Sequence, residues 1–126
     1  MLGNHDVGAT IAVSDMAAAR SFYEGTLGLT PAMEMDDAVL YSSGRSRALV
    51  YQSAYAGTNK ATAATWSVGD AFDGVVEELR GKGVSFERYD DLSGVTREGD
   101  IHLLGESRGV WITDPDGNIL SIVDES

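Results

Sequence analysis

The chain has no cysteine. That excludes disulfides, thiolate metal centres and a cysteine nucleophile, and it fits a reducing, cytoplasmic location. Basic residues are scarce: nine Lys and Arg stand against twenty Asp and Glu, giving a formal net charge of −11 and a pI near 4.3. Such a surface repels a phosphate backbone, so nucleic acid is not an expected partner, whereas a cationic small molecule is steered toward the chain. No apolar run approaches the roughly 20 residues of a bilayer span, so no membrane partner is expected. The opening Met1-Leu2-Gly3-Asn4-His5-Asp6 lacks the basic-then-apolar order of a secretory signal. Also missing are a Gly-rich phosphate loop, a Gly-x-Ser-x-Gly elbow and a His-Glu-x-x-His pair. The pairs Asp36-Asp37 and Asp90-Asp91 lack calcium-loop spacing and read as solvated turns.

What is present is an ordinary globular composition, 43% hydrophobic and 23% charged over 126 residues, the size of one domain. Its organising feature is a repeat. Ala9-Thr10-Ile11-Ala12-Val13-Ser14-Asp15 returns as Ala64-Thr65-Trp66-Ser67-Val68-Gly69-Asp70, 55 residues later, with four of seven positions identical. Each copy reads as a strand, then a small residue and an aspartate, then an amphipathic helix. The helices end at Gly28-Leu29 and Gly83-Val84, again 55 apart. Two copies are too few for a solenoid, so two similar halves around a cleft are expected.

The first module is expected over residues 7–53. Residues 7–13 read as a strand with Val7, Ala9, Ile11 and Val13 on its core face. A helix capped by Asp15 or Ser14 follows, with Met16, Ala19, Phe22 and Tyr23 at helical spacing. Three strands over 31–35, 38–42 and 47–52 complete a β-α-β-β-β unit. A linker is placed at 54–62 and a second module at 63–126, its helix over 71–80 burying Phe72, Val75, Val76 and Leu79. Residues 90–107 read as a long irregular, lid-like loop. Val110-Trp111-Ile112-Thr113 and Ile119-Leu120-Ser121-Ile122-Val123 flank Asp114-Pro115-Asp116-Gly117-Asn118, a tight hairpin whose acids serve the turn.

Three segments together carry a resemblance: the strand ending Val-x-Asp, Ala-Arg-Ser-Phe-Tyr-Glu-Gly-Thr-Leu-Gly-Leu at 19–29, and Trp-Ile-Thr-Asp-Pro-Asp-Gly-Asn at 111–118. In this order and spacing they resemble the vicinal oxygen chelate superfamily, which includes glyoxalase I, extradiol dioxygenases and bleomycin resistance proteins. The resemblance implies an α+β fold of two tandem β-α-β-β-β modules forming a curved mixed sheet around a cleft. It also implies a homodimer. In metal-dependent relatives each module supplies two ligands, and the corresponding positions are Gly8, Tyr51, Ala63 and Ser121. None is histidine, glutamate or glutamine, so no metal and no cofactor are expected.

Strand alternation then places small residues toward the cleft. Thr10, Tyr41, Tyr51, Thr65, Trp111 and Ser121 are the expected ligand-binding residues, giving apolar walls with hydroxyl handles. The resulting expectation is metal-independent binding of a small aromatic or cationic ligand, as in drug or metabolite sequestration and antibiotic resistance. A second reading is a divergent lyase, isomerase or dioxygenase using His102 in the loop as a general base, or a metal held by His102 with Glu34 and Glu106. A third is a protein whose hollow is a partner interface. Arg47 either meets an anionic ligand or covers an edge strand, and His5 lies in the N-terminal tail.

Overall fold

Alternation between buried and exposed residues sets the first strand. In β1 (Ala9–Val13) Ile11 and Val13 are buried while Thr10 faces solvent. The computed structural model describes residues 1–125 and divides into two units, Met1–Thr58 and the part from Asn59 onward. Each is α+β with a mixed sheet.

In the first unit Asp15 caps helix α1 (Met16–Arg20), its carboxylate accepting from the N–H groups of Ala17 and Ala18 at 2.9 and 3.3 Å. These are two of the donors that a helix start leaves without partners. The helix continues as a π-helical turn, Ser21–Thr26, that buries Tyr23. Gly28 at φ 78° then reverses the chain, a conformation that glycine adopts without steric cost. Strands β2 (Thr30–Met35), β3 (Ala38–Ser43) and β4 (Ser46–Gln52) follow, in the order β1-β4-β3-β2, with β1 parallel to β4 and the other pairs antiparallel. The pairings Ile11↔Val50↔Val39 and Ala48↔Tyr41 define the buried face. Tyr23 of the helical segment stacks on Tyr41 from that side, 6.2 Å between ring centroids.

The strand stops short of Val7, which is 94% exposed rather than part of the core. Pairing with β4 begins at Ala9↔Ala48 although β4 extends back to Ser46, so residues 7 and 8 run beside β4 without joining the ladder.

In the second unit β5 (Thr62–Ser67) is followed by a 3-10 turn, Gly69–Ala71, and helix α2 (Phe72–Gly81), which buries Phe72, Val76 and Leu79. Asp70 does not cap α2 as Asp15 caps α1, because the 3-10 turn sets the helix start at Ala71, which makes no side-chain cap bond. Strands β6 (Phe86–Glu87), β7 (Thr96–Glu98), β8 (Ile101–Leu104), β9 (Ser107–Thr113) and β10 (Ile119–Val123) complete the sheet. The order is β5-β10-β9-β8-β7, with β5 parallel to β10 and β6 pairing with β9 beside β8.

Residues 90–107 are irregular only in part, over 90–95 and the turns. They contain the β7–β8 hairpin, an extension of the sheet. Its polar residues are satisfied within and beside the hairpin: the Arg97 guanidinium forks onto Asp90 at 2.9 and 3.0 Å and donates to the Gly99 carbonyl at 2.7 Å. Asp100 takes Arg88 at 3.0 Å and Arg80 at 3.4 Å.

The β9–β10 turn is closed by Asp114. It is nearly buried and accepts from the N–H groups of Asp116 and Asn118, both at 2.9 Å, and from Asn118 Nδ2 at 2.8 Å. Among the described residues no helix is long and apolar enough to cross a membrane.

Candidate functional site

Register settles which expected residues share a face. In the first unit the helix-free face carries the rows Thr10↔Leu49↔Leu40 and Ala12↔Tyr51↔Ala38. Thr10 and Tyr51 therefore lie on one face. Tyr41 does not join them. It belongs to the opposite, buried face, fully enclosed, with its hydroxyl donating to Glu24 Oε2 at 2.7 Å. Glu24 in turn accepts from Arg20 Nε at 2.7 Å. Arg20, and then Tyr41, hold the Glu24 carboxyl below the usual carboxylate range. Burial and this neighbour push the Tyr41 phenol up.

On the helix-free face a hollow of about 980 Å³ opens beside the β3–β4 turn. Thr10, Leu40 and Leu49 line its sheet side, Arg45 and Arg47 its hairpin side, and His5 and Asp6 its N-terminal wall. Gly8 holds that wall in place. A Cβ there would sit 2.7 Å from the Arg47 carbonyl oxygen, closer than real carbon and oxygen atoms approach, so the N-terminal segment reaches β4 only with glycine at this position. The hairpin itself is shaped by Gly44 at φ 56° and by Ser46 Oγ donating to the Ser43 carbonyl at 2.8 Å.

In the second unit Thr65, Ser121 and Trp111 form one row across β5, β10 and β9. Ser121 is nearly buried and Thr65 exposed. The register of β5 shifts between Ile119↔Thr62 and Leu120↔Ala64, so Ala63 occupies a bulge and Thr62 takes the place on the face that a constant 55-residue offset assigns to Ala63. The Thr62 hydroxyl accepts the Trp111 indole N–H at 3.1 Å.

His102 is the largest departure from the sequence reading. It is a strand residue with no exposed surface. It lies edge-on to Trp111, with ring centroids 4.7 Å apart, and 5.8 Å from Tyr89. Its Nε2 accepts the Tyr89 N–H at 2.9 Å, and among the described residues Nδ1 has no partner. Burial, and then Glu87, push the Tyr89 phenol up. An enclosed imidazole that already accepts a backbone proton is not a lid-borne base. Glu34 instead pairs with Arg20, and Glu106 is exposed.

The four metal positions of the family do not fit a divalent ion. Gly8 and Ala63 have no side-chain donor, and Tyr51, Ser121 and Thr62, which takes Ala63's place on the face, offer only weakly acidic hydroxyls. Among the described residues no three His, Cys, Asp or Glu side chains gather into a group able to hold a metal.

Sequence reasoning weighed Arg47 but missed Arg45, Thr62 and Tyr89. The Ser43-Gly44-Arg45 turn signal marks where Arg45 falls, whereas nothing local announces the bulge or the aromatic cluster.

Two sheet units, one four-stranded and one six-stranded, each with a helix after its first strand and that strand parallel to its last, define a class of small α+β proteins. The sequence profile of the Glyoxalase/Bleomycin resistance protein/Dioxygenase superfamily matches residues 7–122, and the chain belongs to that family. Among solved structures, a glyoxalase/bleomycin resistance protein/dioxygenase from Alicyclobacillus acidocaldarius is similar at TM-score 0.70 and 20% identity, covering 95% of this chain and 90% of that one. Lactoylglutathione lyase from Agrobacterium tumefaciens gives 0.70 at 16% identity, covering 94% and 92%. Fosfomycin resistance protein FosX from Mesorhizobium loti gives 0.66 at 13%, covering 97% and 92%. At these identities the likeness establishes the fold. No curated protein sequence matches the chain.

Proposed function

We propose that this protein binds a small, partly apolar organic molecule on the helix-free face of its first unit, without the family's metal. The observation that carries the reading is the hollow of about 980 Å³ floored by Leu40 and Leu49 with the Thr10 hydroxyl beside them, a size and lining suited to a small ligand. The donor chemistry at Gly8, Tyr51, Ala63 and Ser121 supports metal independence. Sequestration of a drug or metabolite is the activity such a site serves.

The test uses chelator-treated protein incubated with a library of small organic molecules, followed by mass spectrometry of what is retained. Stoichiometric retention that a Leu49→Asp variant abolishes supports the reading. Retention only after metal is restored, or retention indifferent to Leu49→Asp, overturns it.

The same reading includes a cytoplasmic homodimer. Met33, Met35 and Tyr51, which are 56%, 46% and 37% exposed, supply apolar surface for such an interface. Light scattering that returns the mass of one chain at micromolar concentration removes the dimer.

A further inference from the structure

We propose that Arg45 and Arg47 form an oxyanion-binding pair, so that the ligand of the first-unit hollow is an organic anion carrying a carboxylate or phosphate-type group. This inference rests on the reading of that hollow as a ligand site and specifies its chemistry.

The first observation is the distribution of charge. Of the nine basic side chains, Arg20, Arg80, Lys82, Arg88, Arg97 and Arg108 each sit in an ion pair, and Lys60, without one among the described residues, does not line the hollow. Arg45 and Arg47 form none among the described residues, in a chain where acids outnumber bases by twenty to nine. Scarcity of acidic partners does not explain this. Both arginines line one hollow, and the acid that shares it, Asp6, makes no ion pair with either.

The second observation is the shape of the lining. Leu40 and Leu49 line the sheet side of the hollow, and Arg45 and Arg47 line its hairpin side. Guanidinium forks match the planar geometry of carboxylate and the oxygens of a phosphate group. An apolar floor beside a cationic rim selects a molecule with an organic body and an anionic head. The third observation is Gly8, whose missing side chain lets the His5 and Asp6 wall close against Arg47.

The net charge of −11 gives the opposite expectation, a cationic ligand. Local charge decides instead, because screening in physiological salt limits the reach of surface charges to about 8 Å.

The experiment is calorimetric titration of the full chain with four probes of similar size: benzoate, phenyl phosphate, benzyl alcohol and benzylammonium. The anions are expected to bind, and the Arg45→Gln, Arg47→Gln double variant to weaken them by roughly tenfold or more while its denaturant midpoint stays unchanged. Neutral or cationic probes binding as tightly as the anions, or an anion affinity unmoved in the double variant, overturns the anion assignment and leaves the small-molecule reading standing. Absence of binding by all four probes overturns both.

Discussion

The Tyr89 backbone N–H donates to Nε2 of His102 at 2.9 Å, so the neutral imidazole carries its proton on Nδ1, inside a site with no exposed surface. The His102 and Trp111 rings meet edge to face at an interplanar angle of 89°. We predict that nitrogen NMR finds the Nδ1–H tautomer. His102→Ala removes the acceptor for Tyr89 and leaves a void, and urea denaturation is expected to show a loss of about 2–4 kcal/mol. A variant as stable as the parent would contradict this packing.

Glu24 should contribute to acid sensitivity together with Asp90, Asp100 and Asp124, whose carboxyls are also held below their ordinary range. The folded-state carboxyl of Glu24 lies below the ordinary value of 4.5, held there by Arg20 and then Tyr41. The unfolded chain therefore takes up this proton first as pH falls. The stabilisation is complete above pH 4.5 and is lost as pH drops through the folded value. Denaturant midpoints measured against pH should fall on that limb, and Glu24→Gln should flatten it. Tyr41→Phe should cost about 1 kcal/mol by removing one donor from the carboxylate.

Gly8→Ala should lift residues 5–7 off β4, because its Cβ would meet the Arg47 carbonyl at 2.7 Å. Val7 is 94% exposed, so the core loses nothing, and the change in global stability is expected within about 0.5 kcal/mol. Faster proteolysis and hydrogen exchange confined to the N-terminal segment would register the effect.

The β9–β10 turn should respond to Asp114 more than to its other acids. Asp114→Ala deletes the acceptor of three hydrogen bonds, with an expected loss of about 2–3 kcal/mol in chemical denaturation. Asp114→Asn keeps an oxygen for the backbone donors and should recover part of it. Asp116→Ala keeps the backbone N–H that Asp114 receives and should stay close to the parent.

Much of this fold is legible in the residues because the signals are local. The Phe72, Val76 and Leu79 stripe, the Asp15 cap and the turn residues at 114–118 each act over a few positions, and the structure uses them as read. The β7–β8 hairpin was hidden because Arg97 and Asp100 are satisfied by partners that alternation does not reveal. Tyr41 lies on the face opposite Tyr51, with its hydroxyl spent on Glu24, because an aromatic ring suits a buried core as well as the wall of a ligand site. In the candidate site Thr10 follows from alternation along the first strand, whereas Leu40 and Leu49, which the sequence did not single out, join it only through the register of β4 with β1 and β3. The pairing of Arg45 with Arg47 around one hollow followed only from the path of the N-terminal segment.

The bulge at Ala63 sets the two repeats out of phase by a single residue. Roles carried from one copy to the other at constant spacing therefore hold downstream of this point and fail upstream, where Thr62 rather than Ala63 answers to Gly8. With Ala63 deleted, Thr62 would directly precede Ala64, and alternation would leave it on the face of Thr65, beside the indole it bonds; the supernumerary residue changes the count along the chain and not the side on which the Trp111 nitrogen finds its acceptor.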